Sequence, residues 1–322
     1  MRILITGTAG FIGGALAWHL ADKGETVLGL DVRPSKSLPG VEEVVADLLD
    51  PGALRSAFSR FGPDAVVHLA ARTDLTEKVS VHGYAANIDG VENLIEAIRE
   101  TPGVLRAVFT SSQLVCRIGL LPASATDYAP DTLYGESKVL TEQIVRKRDG
   151  GGVVWCLVRP TTVWGPGMSP HYQRFLRLIA RGRYFHVGRG QLLKSYGYIG
   201  NVVYQYERLL TAPAELVHRN TLYLADDPPL SLRAWADAFQ KAIGAPPIRT
   251  IPVGLARLLA GAGNVVNKLG FPDFPLNAFR LKNILTEYRF DLAETRRICG
   301  EPPYTMEEGV ARMAAWYRDE LA

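Results

Sequence analysis

An α/β fold, a doubly wound parallel sheet followed by a smaller mixed α/β lobe, is predicted by three observations. Short runs of branched apolar residues alternate with amphipathic stretches through the first half of the chain, a glycine-rich turn follows the first run, and the alternation fades near Gly165. The runs "RILITG", "TVLGLDV", "VEEVVAD", "AVVHLAA", "RAVFTSS" and "VVWCLVRP" read as strands, because they are short and rich in β-branched residues. Strands this apolar are covered on both faces, which requires parallel pairing and right-handed helical crossovers. The covering helices are "GFIGGALAWHLADKG", "PGALRSAFSRFG", "ANIDGVENLIEAIRET" and "LYGESKVLTEQIVRKR", each with apolar residues at helical spacing and most with Gly or Pro near an end. Beyond residue 165, "HYQRFLRLIARG", "LRAWADAFQKAIG" and "TMEEGVARMAAWYRDEL" read as helices among a few short strands. "NTLYLAD" at 220–226 is again strand-like, so residues of about 202–225 are expected to return to the main sheet. The expected domains are 1–165 and, apart from that return, 166–322.

Composition narrows the function classes. With 322 residues and 47% hydrophobic content the chain can bury a large core. Its net charge of +3 is small and its cations are scattered along the sequence, which argues against a nucleic-acid groove or a polybasic membrane patch. No signal peptide is evident at "MRILITG". The apolar stretch from Val253 is broken by Arg257, Asn264, Asn267 and Lys268, so it does not read as a membrane span, and packing or an interface accounts for it better. Three widely spaced cysteines, Cys116, Cys156 and Cys299, match no metal or disulfide framework and suit a reducing compartment, so the expected location is cytoplasmic.

"ILITGTAGFIGGAL" places Gly7, Gly10 and Gly13 between the first strand and the first helix. There Gly7 permits a tight turn, Gly10 lets backbone approach a pyrophosphate, and Gly13 lets helix and strand pack closely, with the helix N–H groups facing the anion. The loop reads as the entry to a Rossmann-like dinucleotide site, the alternative being a turn and two packing glycines. Asp31, ending the second strand, can accept hydrogen bonds from both adenosine ribose hydroxyls and would repel a 2′-phosphate, favouring NAD over NADP; Arg33, two residues on, could offset that repulsion. Asp47 could hydrogen-bond and Leu48 cover an adenine edge; a simple strand-end turn is an equal alternative.

Tyr134 and Lys138 in "YGESK" stand one helical turn apart and share a face. A phenol has a pKa near 10, and lowering it by about 3 units requires roughly 4 kcal/mol of preference for the phenolate. A close ammonium shielded from water can supply that, making Tyr134 a proton acceptor or donor; on spacing alone an exposed tyrosine and a solvated lysine, common on helices, is the alternative. Ser111 and Ser112 end the fifth strand, at the carboxyl edge where ligands of open α/β sheets bind.

On "TGTAGFIG", the "DL" at Asp47, "HLAA" at 68–71, "NIDGVENLIEA", "SS" before "VC", the YxxxK and "RPTTVWGPG", the chain resembles the extended short-chain dehydrogenase/reductase family, which includes NAD-dependent sugar epimerases and dehydratases. The resemblance implies a catalytic set of Ser112, Tyr134 and Lys138, with Lys138 also holding the nicotinamide ribose. It implies cofactor contacts from Gly7, Gly10, Phe11, Ile12 and Gly13, from Leu69, Ala70 and Ala71, and from Pro160 and Val163. His68 is expected to pack within its strand. Family dehydratases and decarboxylases carry acidic residues where this chain has Gln113 and Leu114, so simple oxidation, reduction or epimerisation is expected. Lys194 and Arg280 stand near the family's two diphosphate-binding arginines, Asn201 replaces a usual aspartate, and Thr73, His171, Tyr172 and Arg174 are further substrate-facing candidates. The leading expectation is C4 epimerisation of a nucleoside diphosphate sugar. A dehydrogenase or ketoreductase of a steroid-like or other apolar alcohol, and a non-catalytic dinucleotide-binding module, are the alternatives. A homodimer through a four-helix bundle is also implied.

Overall fold

The computed structural model describes residues 1–35, 38–268 and 277–321. The branched apolar runs form β1 (Arg2–Thr6), β2 (Thr26–Asp31), β3 (Val41–Val45), β4 (Ala65–His68), β5 (Arg106–Thr110) and β6 (Val154–Pro160). Between them lie α1 (Phe11–Asp22), α2 (Pro51–Phe61), α3 (Ala85–Arg99) and α4 (Leu133–Lys147). With the strand Asn220–Leu224 they make a seven-stranded sheet in the order Asn220–Leu224, β6, β5, β4, β1, β2, β3, every neighbouring pair parallel. The order reverses between β1 and β4, so a crevice opens there at the carboxyl ends of the strands, the usual ligand position in such sheets.

Local chemistry explains the element ends. Asp50 starts α2 by accepting from Gly52 N and Ala53 N, and Gly62 ends it at φ +59. Thr132 caps α4 by accepting from Gly135 N. Leu4, Val66, Phe109 and Leu157 on one sheet face pack with Leu54, Phe58, Leu94 and Ile98 of α2 and α3. Each such side chain contributes about 1.5–3 kcal/mol by leaving water.

The chain divides into two compact units. The first is Met1–Trp164, Gly197–Asp227 and Phe290–Tyr304; the second is Gly165–Tyr196, Pro228–Arg289 and Thr305–Ala322. The second unit is built on helices Pro170–Ala180, Leu232–Ala242, Val253–Lys268, Ala278–Leu285 and Met306–Glu320. Inside it Phe175 stacks on Trp235 at 5.1 Å, and Phe239 meets Tyr317 edge to face. Charge is sorted between the units: the first holds 20 Lys and Arg against 26 Asp and Glu, the second 16 against 7. Net charges of −6 and +9 therefore add to the +3 of the whole chain. Among the described residues no helix is long and apolar enough to cross a membrane.

Candidate active site

The glycine loop is a nested piece of backbone. Gly7 has φ +84, and a Cβ there would lie 2.5 Å from Ala70 N, at the end of β4. A Cβ on Gly13 would lie 2.1 Å from Gly7 O, so α1 can sit this close to the loop only with glycine at that position. Gly10 is extended at φ −88 and precedes α1, whose first turn carries no acidic residue. The first N–H groups of α1, on Phe11, Ile12 and Gly13, have no partner one helical turn earlier and point out of the helix end, a cradle suited to a pyrophosphate. Asp31 lies beside it, accepting from Ala9 N at 3.0 Å and from Arg33 N at 3.3 Å, while the Arg33 side chain is exposed. A carboxylate at that strand end fits a ribose diol. Asp47 is exposed, and Leu48 is buried against Gly90, its carbonyl held by Asn93.

Thr6 ties the ends of β1 and β4 together. Its Oγ1 accepts from Leu69 N and Ala70 N, both at 3.1 Å, so its own proton goes to His68 Nδ1 at 2.9 Å. That leaves the ring proton on Nε2. Burial, with the Lys138 charge second, pushes His68 down to about 3, so it is neutral and structural, as the sequence reading expects. Ala71 is half-buried just beyond, and Pro160 and Val163 are buried at and after the end of β6.

The tyrosine and lysine of α4 are both buried, 8% and 2% exposed. Lys138 Nζ donates to Thr110 O at 2.9 Å, and burial pushes it down to about 8, opposed by the charge of Glu142. Ser112 begins the turn Gln113–Val115, its Oγ accepting from Leu114 N at 3.1 Å. This turn packs on α4 because residue 135 is glycine: a Cβ there would stand 2.3 Å from Leu114 O. The serine turn and the first turn of α4 are thus in contact. Tyr84 lies against Tyr134 with ring centres 6.0 Å apart. Asn87 of α3 donates from its side-chain amide to Ser137 Oγ and accepts through its backbone carbonyl from Thr141 Oγ1, fixing α4 against α3.

Sequence reasoning missed a buried ion pair behind this site. Glu142, four residues past Lys138, accepts from Arg159 Nε at 2.7 Å and Nη2 at 2.8 Å, and from Tyr128 OH at 3.0 Å. Arg159 also donates to Ala125 O and Tyr223 OH. Both residues are at most 1% exposed, and Arg159 immediately precedes Pro160. The pair joins α4 to the end of β6. The signal available in the sequence was the spacing Tyr134, Lys138, Glu142, which puts all three on one helical face.

The remaining candidates divide between the units. Thr73 is exposed in the loop after β4, beside Arg72, whose guanidinium pairs with Asp74 and Glu77. Asn201 donates to Asp226 Oδ1 and Tyr304 O and accepts from Tyr304 N. An aspartate at 201 would set one carboxylate against another, since burial already pushes Asp226 up to about 6. In the second unit Lys194 is 2% exposed: its Nζ donates to Asn283 O and lies 5.3 Å from the Tyr288 ring centre. Burial pushes it down to about 8. Arg280 and Arg174 are half-buried and Tyr172 is exposed; the side chain of His171 lies outside the described residues.

A family model described as "NAD dependent epimerase/dehydratase family" matches residues 3–225. A 3 beta-hydroxysteroid dehydrogenase/Delta 5-->4-isomerase of Mycobacterium tuberculosis is 28% identical, across 98% of this chain and 90% of that protein. A 2-alkyl-3-oxoalkanoate reductase of Stenotrophomonas maltophilia is also 28% identical, across 98% and 99%. The crystal structure of a UDP-glucose 4-epimerase with UDP-glucose from Thermotoga maritima superposes over all of both chains with a TM-score of 0.75 at 21% identity, a likeness of fold.

Proposed function

The chain belongs to the NAD dependent epimerase/dehydratase family, and from that premise we propose that it oxidises or reduces a secondary alcohol with Tyr134 as acid and base. NAD, when bound, supplies the hydride acceptor or donor. Gly7, Gly10, Phe11, Ile12 and Gly13 would hold its pyrophosphate, Asp31 its adenosine ribose, and Asp47 and Leu48 its adenine. Leu69, Ala70 and Ala71 would line its path, with Pro160 and Val163 beside the nicotinamide. The observation that carries the reading is Lys138, a buried ammonium one turn from Tyr134 and fixed to Thr110 O. In so dry a place its field acts strongly on the phenol and favours the phenolate. Tyr134 takes a proton from the substrate hydroxyl in oxidation and returns one to the ketone oxygen in reduction, while Ser112 Oγ donates to that same oxygen. Gln113 and Leu114 bring no carboxylate, so no further proton transfer of the dehydration type is supplied.

For the substrate we propose a nucleoside diphosphate sugar, epimerised at C4. The excess of positive charge in the second unit and the likeness to a UDP-glucose 4-epimerase support this. One observation favours a second reading, a dehydrogenase or ketoreductase of a steroid-like or other apolar alcohol: Lys194 is engaged by Asn283 O, which leaves the diphosphate weakly held, and a hydroxysteroid dehydrogenase is among the relatives. The same preparation separates them. Conversion of UDP-glucose without net change in NADH absorbance supports the first; NADH accumulation with a hydroxysteroid supports the second; bound NAD with no turnover on either removes both and leaves a binding module. We further propose a homodimer through α3 and α4, whose Ile88, Leu140 and Ile144 are half-buried. A monomeric mass by light scattering would remove it.

A further inference from the structure

One part of the second unit exposes large apolar and cationic side chains together. The parallel strands Phe185–Val187 and Arg249–Ile251 pack with helices Val253–Lys268 and Ala278–Leu285 around Ala256, Ala260 and Leu281. The helix Val253–Lys268 turns Ala256 and Ala260 inward and leaves Leu255, Leu258 and Leu259 exposed by 45%, 74% and 41%. These three stand at i, i+3 and i+4, a single stripe. A helix facing only water is arranged the other way, with its leucines inside. On these elements and the loops beside them Arg183, Arg189, Arg249, Arg257 and Lys282 are all exposed. Residues 181–189, 249–264 and 277–285 contain no aspartate or glutamate. Among the described residues, the nearest acidic groups, Asp237 and Glu287, have partners: Asp237 meets His186 at 2.8 Å, and Glu287 accepts from Leu193 N and Arg289.

We propose that this surface docks on a lipid bilayer carrying anionic headgroups, the leucines entering the interfacial layer and the cations lying against phosphate and carboxylate groups. Charge complementarity selects this occupant. A second copy of the chain would bring the same cations face to face, because a two-fold interface pairs one patch with itself. A nucleic acid would satisfy the cations and leave the leucines in water. Along the sequence the cations are scattered; the fold gathers them, and the acidic first unit hides them in the total charge. Docking of this kind lies on the membrane and needs no spanning helix.

The test is flotation of the full-length protein with vesicles of mixed phosphatidylcholine and phosphatidylserine, against pure phosphatidylcholine vesicles and a random DNA duplex. Binding to the mixed vesicles, released by salt, is expected. Arg249→Glu with Arg257→Glu should weaken it at least about tenfold. The combination Leu255→Gln, Leu258→Gln and Leu259→Gln should do likewise, with thermal midpoint and turnover unchanged; Leu258→Gln alone, the most exposed site, serves if the triple variant does not fold. Failure of the wild-type protein to float with mixed vesicles overturns the proposal, as does wild-type flotation by both variants. So does DNA binding that competes with the vesicles and survives the leucine changes, which would assign the patch to nucleic acid. A drop from dimer to monomer mass in the leucine variant would assign it to a second copy.

Discussion

Among the described residues each unit holds one buried lysine, and the two are alike in exposure and hydrogen bonding. Lys138 and Lys194 are each 2% exposed, each donates to a backbone carbonyl, and each is pushed by burial down to about 8. Their surroundings differ. Lys138 lies on the same helical face as Tyr134, with the Ser112 turn packed on that helix, whereas Lys194 is engaged by Asn283 and the face of Tyr288. Burial alone therefore carries no proposal of catalysis; at Lys138 the proposal rests on Tyr134 standing on the same helix and on the Ser112 turn packed against it. A lysine whose pKa falls from 10.5 to about 8 opposes folding at neutral pH by about 3 kcal/mol. At Lys138 that cost has a use in the proposed reaction.

The largest expected effect follows from that difference. Tyr134→Phe should lower turnover about a thousandfold while NAD affinity, read by fluorescence titration, stays within a few fold. Lys138→Met should lose turnover to a similar extent yet raise the thermal midpoint, because the desolvation cost leaves with the charge. If Tyr134→Phe keeps activity within a few fold of wild type, the proton role assigned here is wrong.

Next in size is the pair behind the site. Glu142→Gln leaves the buried Arg159 guanidinium without its counter-charge and should destabilise the first unit by about 3 kcal/mol or more in denaturant titration. Replacing both, Glu142→Leu with Arg159→Met, should recover most of that loss. A double variant no more stable than the single one would mean that the hydrogen bonds to Ala125 and Tyr223, rather than the charge balance, hold β6 to α4.

How legible each region was in the sequence follows the same division. Most of the first unit is one continuous run, Met1–Trp164, so period, glycine placement and strand ends were readable there: Gly7 and Gly13 flank the turn between β1 and α1, and Asp31 ends β2. The Glu142–Arg159 pair was not, because its partners lie on α4 and β6 and meet only once the sheet is assembled. The fate of Lys194 was hidden too, since its strand, Leu193–Lys194, is two residues long and its partner carbonyl lies 89 residues away. The sorting of charge escaped a linear reading because the second unit is made of three separate segments.

A smaller effect tests Lys194 directly. Lys194→Met should stabilise the protein by roughly 1–2 kcal/mol, the desolvation gain less the lost hydrogen bond, and leave turnover within a few fold. Should KM for a nucleoside diphosphate sugar rise more than about tenfold, Lys194 leaves Asn283 to bind phosphate, and the two lysines are functional equals.

The smallest effect is the pH dependence of that gain, and its sign is fixed. An unfolded lysine keeps its proton up to about 10.5, whereas the folded Lys194 begins to lose it near 8. Between those values the unfolded chain binds more protons, so this group makes stability rise with pH. The buried thiols of Cys156 and Cys299 act the other way: burial pushes them from 9 to about 12, and they hold their protons in the folded state where the unfolded chain has lost them. A single stability curve mixes the two contributions. The difference between wild type and Lys194→Met cancels the thiols, which both proteins share. The advantage of the variant should be full near neutral pH and shrink steadily above about pH 8, by up to about 1.4 kcal/mol per pH unit, in denaturant titrations across that range. An advantage that stays constant as the solution becomes alkaline would show that Lys194 is solvated in the folded protein, and its likeness to Lys138 would be lost.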